Sequence, residues 1–320
     1  MKINLVAVQA KTELDDYSTP EFFDRKMGLL MEMAMADVDP ALPTLVCFPE
    51  AVGMYLGFVP FYWNELKNES SFEQAIRRIT ELNRDRMIES GDLDYEAFVS
   101  QLLFADNALE AERNYMQTFS SLATKYDAYV SAGSTYLPKM EDNPHMGGRL
   151  VLDEEKIRNT SYLFSPRGVC LDRTSKVNIP EGEDRFTTGS PLSELKAVDT
   201  RIGRIGTAIC WDGFHHTLIE HYDALGVEVL LQPSYYSGAG PLANLDPWSF
   251  SNLIQGRENI RFGVAAFLVG AVFEDRRAEG LSYIAKNAGR VGATKEDAVI
   301  AIADQAYAEE AVHAVIDLDE

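Results

Sequence analysis

Residues 204–213 read RIGTAICWDG, and this stretch decides the architecture of the chain. An apolar strand ends directly at Cys210, and a polar, glycine-containing segment that opens a helix follows. A strand, a tight turn and a helix in this order expose a nucleophile at the turn and aim backbone N–H groups, including that of Trp211, at the space before it. A helix N-terminus also favours the thiolate over the thiol. The stretch is equally compatible with a buried strand cysteine.

Strands and helices alternate along the rest of the chain. Residues 3–8 and 44–48 read as apolar strands, and Thr19, which precedes a proline, predicts the start of a helix between them. Residues 128–132 read as a strand that Gly133 ends. Further strands are predicted at 162–164, 169–171, 205–209, 227–231, 264–269, 281–285, 298–303 and 312–318, with helices at 216–225 and 248–261. This alternation predicts sheets covered by helices, with parallel strands whose C-terminal ends form the reactive edge.

No linker, low-complexity tract or repeat divides the chain, so residues 1–320 are expected to form a single domain. Between about residues 58 and 112 helical spacing replaces the strand pattern, which predicts a helical insertion that forms either a lid or an oligomer surface. Tyr55 and four further aromatic residues up to Trp63 are expected either to line a pocket or to anchor the insertion. The GAGP segment at 238–241 predicts a mobile loop near the same edge.

The composition excludes several classes of partner. Of 320 residues, 46% are apolar and 25% are charged, as in an ordinary globular protein. A net charge of −21 repels nucleic-acid phosphates and anionic lipid. The longest strongly apolar run, residues 262–273, has 12 residues, whereas a membrane helix needs about 20. The first residues resemble a strand rather than a signal peptide, so we expect a cytoplasmic protein with no nucleic-acid or membrane partner.

The cysteines and histidines do not form a recognisable metal or disulfide pattern. Cys47, Cys170 and Cys210 are odd in number and far apart. His216 and His221 have the spacing of half a zinc site, but the sequence offers no third ligand. We therefore expect no metal site, and any special cysteine should be special for its reactivity.

A cysteine nucleophile needs a base and a cation, because a thiol of pKa about 8.5 is mostly protonated at neutral pH. Glu50 directly follows the strand at 44–48, and its carboxylate can take the thiol proton. Lys176 lies in the segment DRTSKVNIP, and its ammonium can stabilise the oxyanion of a tetrahedral intermediate. Taken singly, each residue also reads as an ordinary surface side chain.

Three sequence blocks resemble, in the same order, the motif blocks of the nitrilase superfamily of carbon–nitrogen hydrolases. They are FPE at 48–50, the lysine at 176 followed by a proline and an acidic cluster, and AICWD at 208–212. Four further segments also resemble the framework of the family: VAVQA, AYVSAGS, HYDALGVEVLLQPS and GRENIRFGVAAFLVGAV. The resemblance therefore spans most of the chain.

The resemblance implies a four-layer αββα sandwich in which helices cover two mixed sheets. It implies a catalytic set of Glu50, Lys176 and Cys210. In this set Glu50 is the general base and Cys210 is the attacking thiolate. Lys176 and the N–H of Trp211 stabilise the tetrahedral oxyanion. The resemblance implies no metal or organic cofactor.

The resemblance also implies a second glutamate after the lysine, which supports that lysine and positions the substrate. Glu183 is the best match, and Glu181 and Asp184 remain possible. Since members of the family usually dimerise, we expect a homodimer or an assembly of dimers.

The implied function is that of an amidohydrolase, which cleaves a linear amide or N-carbamoyl amine through a thioester and releases ammonia or an amine. Asp212 favours this reading over a nitrilase with the same residues, because nitrile-hydrolysing members commonly have glutamate there. Many amidase-type members have an arginine two places later, where this chain reads GFHH at 213–216, so the charge of the substrate stays open. The sequence is also compatible with a Cys-His dyad, and with a catalytically silent member that binds a metabolite or a partner.

Overall fold

A computed structural model describes residues 1–89, 95–143, 148–236 and 249–319 of the chain. Within these ranges the chain forms twelve strands and nine α-helices. The strands are β1 (Lys2–Lys11), β2 (Thr44–Cys47), β3 (Tyr129–Asn143), β4 (Gly148–Phe164), β5 (Cys170–Ser175), β6 (Val198–Thr200), β7 (Gly203–Thr207), β8 (Val229–Tyr235), β9 (Phe262–Val269), β10 (Tyr283–Lys286), β11 (Val299–Ile302) and β12 (Glu310–Asp317). The helices are α1 (Pro20–Ala34), α2 (Trp63–Leu66), α3 (Phe72–Leu82), α4 (Arg84–Glu89), α5 (Tyr95–Ser100), α6 (Ala108–Tyr126), α7 (His216–Ala224), α8 (Ser249–Leu253) and α9 (Lys295–Ala298).

The strands form two mixed sheets. The first has the order β5-β4-β3-β2-β1-β12, with parallel pairing from β1 to β3 and antiparallel pairing outside it. The second has the order β6-β7-β8-β9-β10-β11, with parallel pairing from β7 to β9. The sheets meet where Ala10 and Lys11, at the end of β1, pair with Leu268 and Val269 of β9.

The burial pattern of β1 shows how the layers stack. Its side chains alternate between two faces, as in any strand. Leu5 and Ala7 pack in one buried cluster with residues of the second sheet, such as Val229. Val6 and Val8 belong to another cluster, which includes the buried faces of α1 and α6. A third cluster places α7 and α8 on the outer face of β8 and β9. The predicted four-layer αββα sandwich is therefore confirmed.

Two predicted elements have different ends in the structure. The strand predicted at 128–132 continues to Asn143, because Gly133, with φ +73°, forms an irregularity in the pairing of β3 with β4 instead of a strand end. The helix predicted at 248–261 is confined to Ser249–Leu253 among the described residues. Gly256 soon after it has φ +69°, a left-handed conformation that ends helices.

The helices α2 to α5 lie within the predicted insertion at 58–112, and a π-helical turn follows them at Gln101–Ala105. Ser71 caps α3, and the buried side of that helix, which includes Phe72 and Ile76, packs into the same cluster as α1 and α6. The single-domain reading with this insertion stays a prediction. No helix among the described residues is both long and apolar enough to cross a bilayer, and the predicted loop at 238–241 lies outside those residues.

Candidate active site

Glu50 lies just beyond β2, at the C-terminal edge of the first sheet, and its side chain is only 2% exposed. The following residue, Ala51, has φ +60° and donates its N–H to the Ser134 hydroxyl at 2.9 Å. Gly133 allows this turn, since a Cβ there would lie 1.9 Å from the Pro49 carbonyl oxygen. The local backbone therefore holds the Glu50 carboxylate at the strand end.

Lys176 follows β5 and places a buried ammonium between two carboxylates. Its Nζ lies 2.7 Å from Oε1 of Glu50 and 2.5 Å from Oε2 of Glu183. Asn159, inside β4, donates its Nδ2 group to both carboxylates, at 2.8 Å in each case. The three charged groups therefore form one hydrogen-bonded cluster that is closed to water on the lysine side.

Cys210 follows β7 of the second sheet and occupies a tight turn. Its φ of +47° is in the left-handed region, which side chains other than glycine rarely adopt. The side chain of Gln232 donates to the Cys210 carbonyl oxygen at 3.0 Å and fixes the turn from β8. A short 3-10 helix, Cys210–Phe214, begins here, and backbone N–H groups in such a first turn have no acceptor inside the helix.

Tyr235, the last residue of β8, joins the two sheets through its backbone. Its N–H donates to Oε2 of Glu50 at 2.8 Å, and its carbonyl oxygen lies 3.5 Å from the Cys210 sulfur as acceptor. One peptide segment thus holds the carboxylate of the first sheet and the thiol of the second.

Asp212 lies directly after the turn and is fully buried, but it does not line the cavity. Its carboxylate accepts hydrogen bonds from the N–H groups of Val177 and Asn178 and from the Asn178 side chain, at 2.7 to 3.1 Å. Burial raises the pKa of Asp212 to about 6, against the lowering effect of these donors. Asp212 therefore ties the cysteine turn to the segment that follows Lys176.

The protonation states of the cluster follow from burial and from its charges. Burial and the Glu50 charge raise the pKa of Cys210 well above its ordinary value, and Lys176 only partly offsets them. The predicted helix effect on the thiolate is therefore outweighed, and the resting sulfur is a thiol. Burial also raises the pKa of Glu50, although Lys176 lowers it. Burial alone would lower the pKa of Lys176, but Glu183 and Glu50 raise it well above its ordinary range.

Glu50, Lys176, Glu183 and Cys210 all line one cavity of 320 Å³, which is at the small end of the range for small-molecule sites. Its walls are otherwise aromatic and apolar, with charged groups towards the loops. The remaining lining residues are Met54, Tyr55, Phe72, Phe104, Tyr136, Pro180, Glu181, Gly182, Phe186, Tyr235, Asp275 and Arg276.

Comparison with known proteins assigns the chain to a family. A family model described as carbon-nitrogen hydrolase matches residues 7–310. The chain belongs to the carbon-nitrogen hydrolase family. The NitFhit fusion protein of Caenorhabditis elegans is 27% identical over 209 residues, which are 64% of this chain and 44% of that protein. The omega-amidase NIT3 of Saccharomyces cerevisiae is 27% identical over 135 residues, which are 40% of this chain and 42% of that protein. The matched part is thus less than half the length of each of these relatives.

Solved structures share the fold of this carbon-nitrogen hydrolase. A carbon-nitrogen hydrolase from Helicobacter pylori superposes with a TM-score of 0.62 at 16% identity, covering 100% of this chain and 90% of that chain. The amidase from Nesterenkonia sp. AN1 superposes with a TM-score of 0.61 at 13% identity, covering 100% and 96%. At such identities the likeness concerns the fold alone.

The remaining sequence-predicted site residues of this hydrolase have distinct positions. Glu183 lies in the lysine cluster, whereas Glu181 is exposed beside the cavity and Asp184 does not line it. Tyr55 is buried, lines the cavity and packs against the Phe72 ring at 6.4 Å between ring centres, so it does both things expected of it. The Trp211 ring packs against Phe214 and His215 instead of lining the cavity, so its backbone N–H is the group of interest.

Sequence reasoning missed Asn159, Tyr235 and Arg276. Asn159 had a readable signal, since an asparagine inside an apolar strand is unfavourable unless its side chain has partners. Tyr235 acts through its backbone, which no residue type reveals. Within the described part of the chain, no group of three or more His, Cys, Asp or Glu side chains is placed to hold a metal ion.

Proposed function

We propose that this carbon-nitrogen hydrolase is a cysteine-dependent amidohydrolase. It cleaves the C–N bond of a small linear amide or N-carbamoyl amine. The main support is the buried Lys176 ammonium, held between Glu50 and Glu183 at the wall of a cavity that Cys210 also lines. An acid, a cation and a thiol in a small cavity are the groups that acyl transfer to sulfur requires.

Glu50 acts as the general base. Since the resting sulfur is a thiol, Glu50 takes its proton as the sulfur attacks the carbonyl carbon. The carbonyl oxygen then becomes an oxyanion, which the Lys176 ammonium and the N–H of Trp211 stabilise. The C–N bond breaks, and the leaving nitrogen takes the proton from Glu50. Ammonia or an amine departs, and an acyl thioester remains on Cys210.

The second half of the reaction uses the same residues. Glu50 removes a proton from a water molecule, the resulting hydroxide attacks the thioester carbon, and Cys210 leaves as the thiolate. That thiolate recovers the proton from Glu50, and the products are a carboxylic acid and the original site. Glu183 keeps Lys176 charged throughout, because its carboxylate favours the ammonium form.

Two kinds of relative favour an amide over a nitrile as substrate. The yeast relative is described as an omega-amidase. The structural neighbour from Nesterenkonia is described as an amidase in which acrylamide adds to the active-site cysteine. Asp212 does not line the cavity, so its identity acts on substrate choice only through the position of the segment after Lys176. A nitrilase with the same residues is tested by the same substrate panel.

The test combines alkylation with turnover. Iodoacetamide should label Cys210 faster than Cys170, although Cys170 is the more exposed of the two, because Glu50 removes the proton of the Cys210 thiol. Glu50→Gln should slow labelling of Cys210 and leave Cys170 unchanged. Labelling that follows exposure alone would favour the catalytically silent reading.

Ammonia release from amides, N-carbamoyl amines and nitriles then separates the activities. Wild type should hydrolyse members of the first two classes, and Cys210→Ala, which fits the same buried turn, should abolish turnover while the protein stays folded. Turnover that persists in Cys210→Ala contradicts the mechanism, and turnover of nitriles alone favours the nitrilase. The expected cytoplasmic location and homodimer stay predictions, which fractionation and light scattering test.

A further inference from the structure

Arg276 lines the cavity of Cys210 and has no part in the proposed mechanism. It ends a short 3-10 turn, Glu274–Arg276, soon after β9. The Tyr235 hydroxyl donates to its carbonyl oxygen at 3.0 Å, which fixes the backbone of this turn to the end of β8. The arginine is therefore held at the cavity by the strand that also holds Glu50 and Cys210.

The guanidinium of Arg276 is oriented but free to accept a ligand. Its central carbon lies over the Phe72 ring, 4.8 Å from the ring centre. Its nearest acid is Glu73 at 3.7 Å, beyond hydrogen-bonding distance, and Glu73 is held instead by Arg185 at 3.0 Å. Among the described residues none accepts a hydrogen bond from the Arg276 side chain. The donors of a half-buried guanidinium at a cavity wall therefore lack a protein partner there.

The acids near Arg276 have partners of their own. Asp275 accepts from the N–H groups of Phe72 and Glu73 and from the Ser71 hydroxyl, so its carboxylate caps α3. Glu50 and Glu183 are bound to Lys176 on the same cavity. Among the lining residues that the structure describes, Lys176 and Arg276 are the cations, and only Arg276 has its donors free.

We propose that Arg276 is a specificity-determining residue that binds a carboxylate at the far end of the amide substrate. This inference rests on the proposed amidohydrolase function and narrows its substrate class to amides of dicarboxylic acids, in which one acid group is free. A guanidinium forms two parallel hydrogen bonds with a carboxylate. Stacking on Phe72 keeps the planar group oriented, so less side-chain freedom is lost on binding.

The first experiment measures ammonia release from three amides with the same spacer. Glutaramate ends in a carboxylate, glutaramide ends in a neutral amide of the same shape, and 5-aminopentanamide ends in an ammonium. Wild type should have the highest kcat/KM for glutaramate or for its succinamate and adipamate homologues. Arg276→Gln should lower that kcat/KM on the order of 10- to 100-fold, mainly through KM, because a charged hydrogen-bonded pair is lost.

Arg277→Gln is the matched control. Arg277 is the next residue, is exposed and lies over the Tyr307 ring at 4.9 Å, and it does not line the cavity. This variant should behave as wild type with all three amides. Arg276→Gln should change glutaramide turnover by less than about threefold, since uniform binding of a distant group does not alter the chemistry. An equal loss for glutaramate and glutaramide, or a preference for 5-aminopentanamide, overturns the inference.

A binding experiment keeps the two proposals distinguishable. Calorimetry on Cys210→Ala should show glutaramate binding that weakens on the order of 10- to 100-fold when Arg276→Gln is added and stays unchanged when Arg277→Gln is added. If no amide releases ammonia but this pattern holds, the proposed function fails and the carboxylate site stands. If amides are hydrolysed and glutaramate binds equally well to all three proteins, the carboxylate site fails and the proposed function stands.

Discussion

Replacing Lys176 by methionine tests the charge arrangement of the site without requiring a substrate. Methionine has a similar length and no charge, so the main change is the loss of the ammonium. Glu50 and Glu183 then share the Asn159 amide with no cation between them. Removing one partner of a buried ion pair costs about 3–5 kcal/mol, because a buried charge is left uncompensated. We expect an unfolding free energy lower than that of wild type by this amount at pH 8.

The loss should depend on pH in a definite direction. Burial already raises the pKa of Glu50 in the folded protein, and Lys176 lowers it. Without the ammonium this folded pKa rises further above the unfolded value of about 4.3. The unfolded variant then binds fewer protons than the folded one between these two pKa values, so its stability falls as the pH rises through that interval. The difference from wild type should therefore be largest at pH 8 and shrink towards pH 5.

The assay is urea unfolding of wild type and Lys176→Met from pH 5 to pH 8. The double variant Lys176→Met, Glu183→Gln is the control, because it leaves one carboxylate, which keeps the Tyr235 and Asn159 donors. Its loss at pH 8 should be smaller than that of the single variant, which additive effects cannot produce. An unchanged midpoint at pH 8, or a loss that is equal at both ends of the pH range, would refute the charge arrangement.

Two further predictions concern the base and its turn. Because the Glu183 charge raises the pKa of Glu50, Glu183→Gln should move the acid limb of the kcat/KM profile to lower pH while lowering kcat, and an acid limb that stays in place contradicts the coupling. Gly133→Ala should lower kcat at least about tenfold, because its Cβ would displace the Pro49 carbonyl and with it Glu50. Gly289→Ala, with the same φ of +73° and no atom within 4 Å of the added carbon, is the control and should leave kcat unchanged.

The sequence predicted the positions of Glu50, Lys176 and Cys210 because each one directly follows a strand. Apolar runs with a polar residue at the end are a local pattern, and the ends of parallel strands gather at one edge of a sheet. The layers followed from the resemblance. What the sequence could not supply was the pairing of Lys176 with two carboxylates, since the choice between Glu181, Glu183 and Asp184 depends on how one loop folds back.

Element ends were less predictable because tertiary pairing overrides local signals. Gly133 is a strong breaker signal, yet β3 continues past it, since β4 provides a partner strand on both sides of the irregularity. Pro233 likewise lies inside β8, where the sequence indicated an end at residue 231. This extension matters for the site, because it brings Tyr235 to the position where its backbone meets Glu50 and Cys210.

The convergence of the site therefore depends on how the two sheets are joined and not on any one side chain. Glu50 belongs to the first sheet and Cys210 to the second, and the sheets pair directly only at the end of β1 against β9 among the strands that the structure describes. β9 also pairs along β8, whose last residue binds both groups through its peptide. A substitution of the Tyr235 side chain leaves these two hydrogen bonds in place, whereas a change that shifts β8 along β9 moves the acid away from the thiol. The spacing between base and nucleophile is thus set by strand register, which is why residues so far apart in the sequence can meet reproducibly.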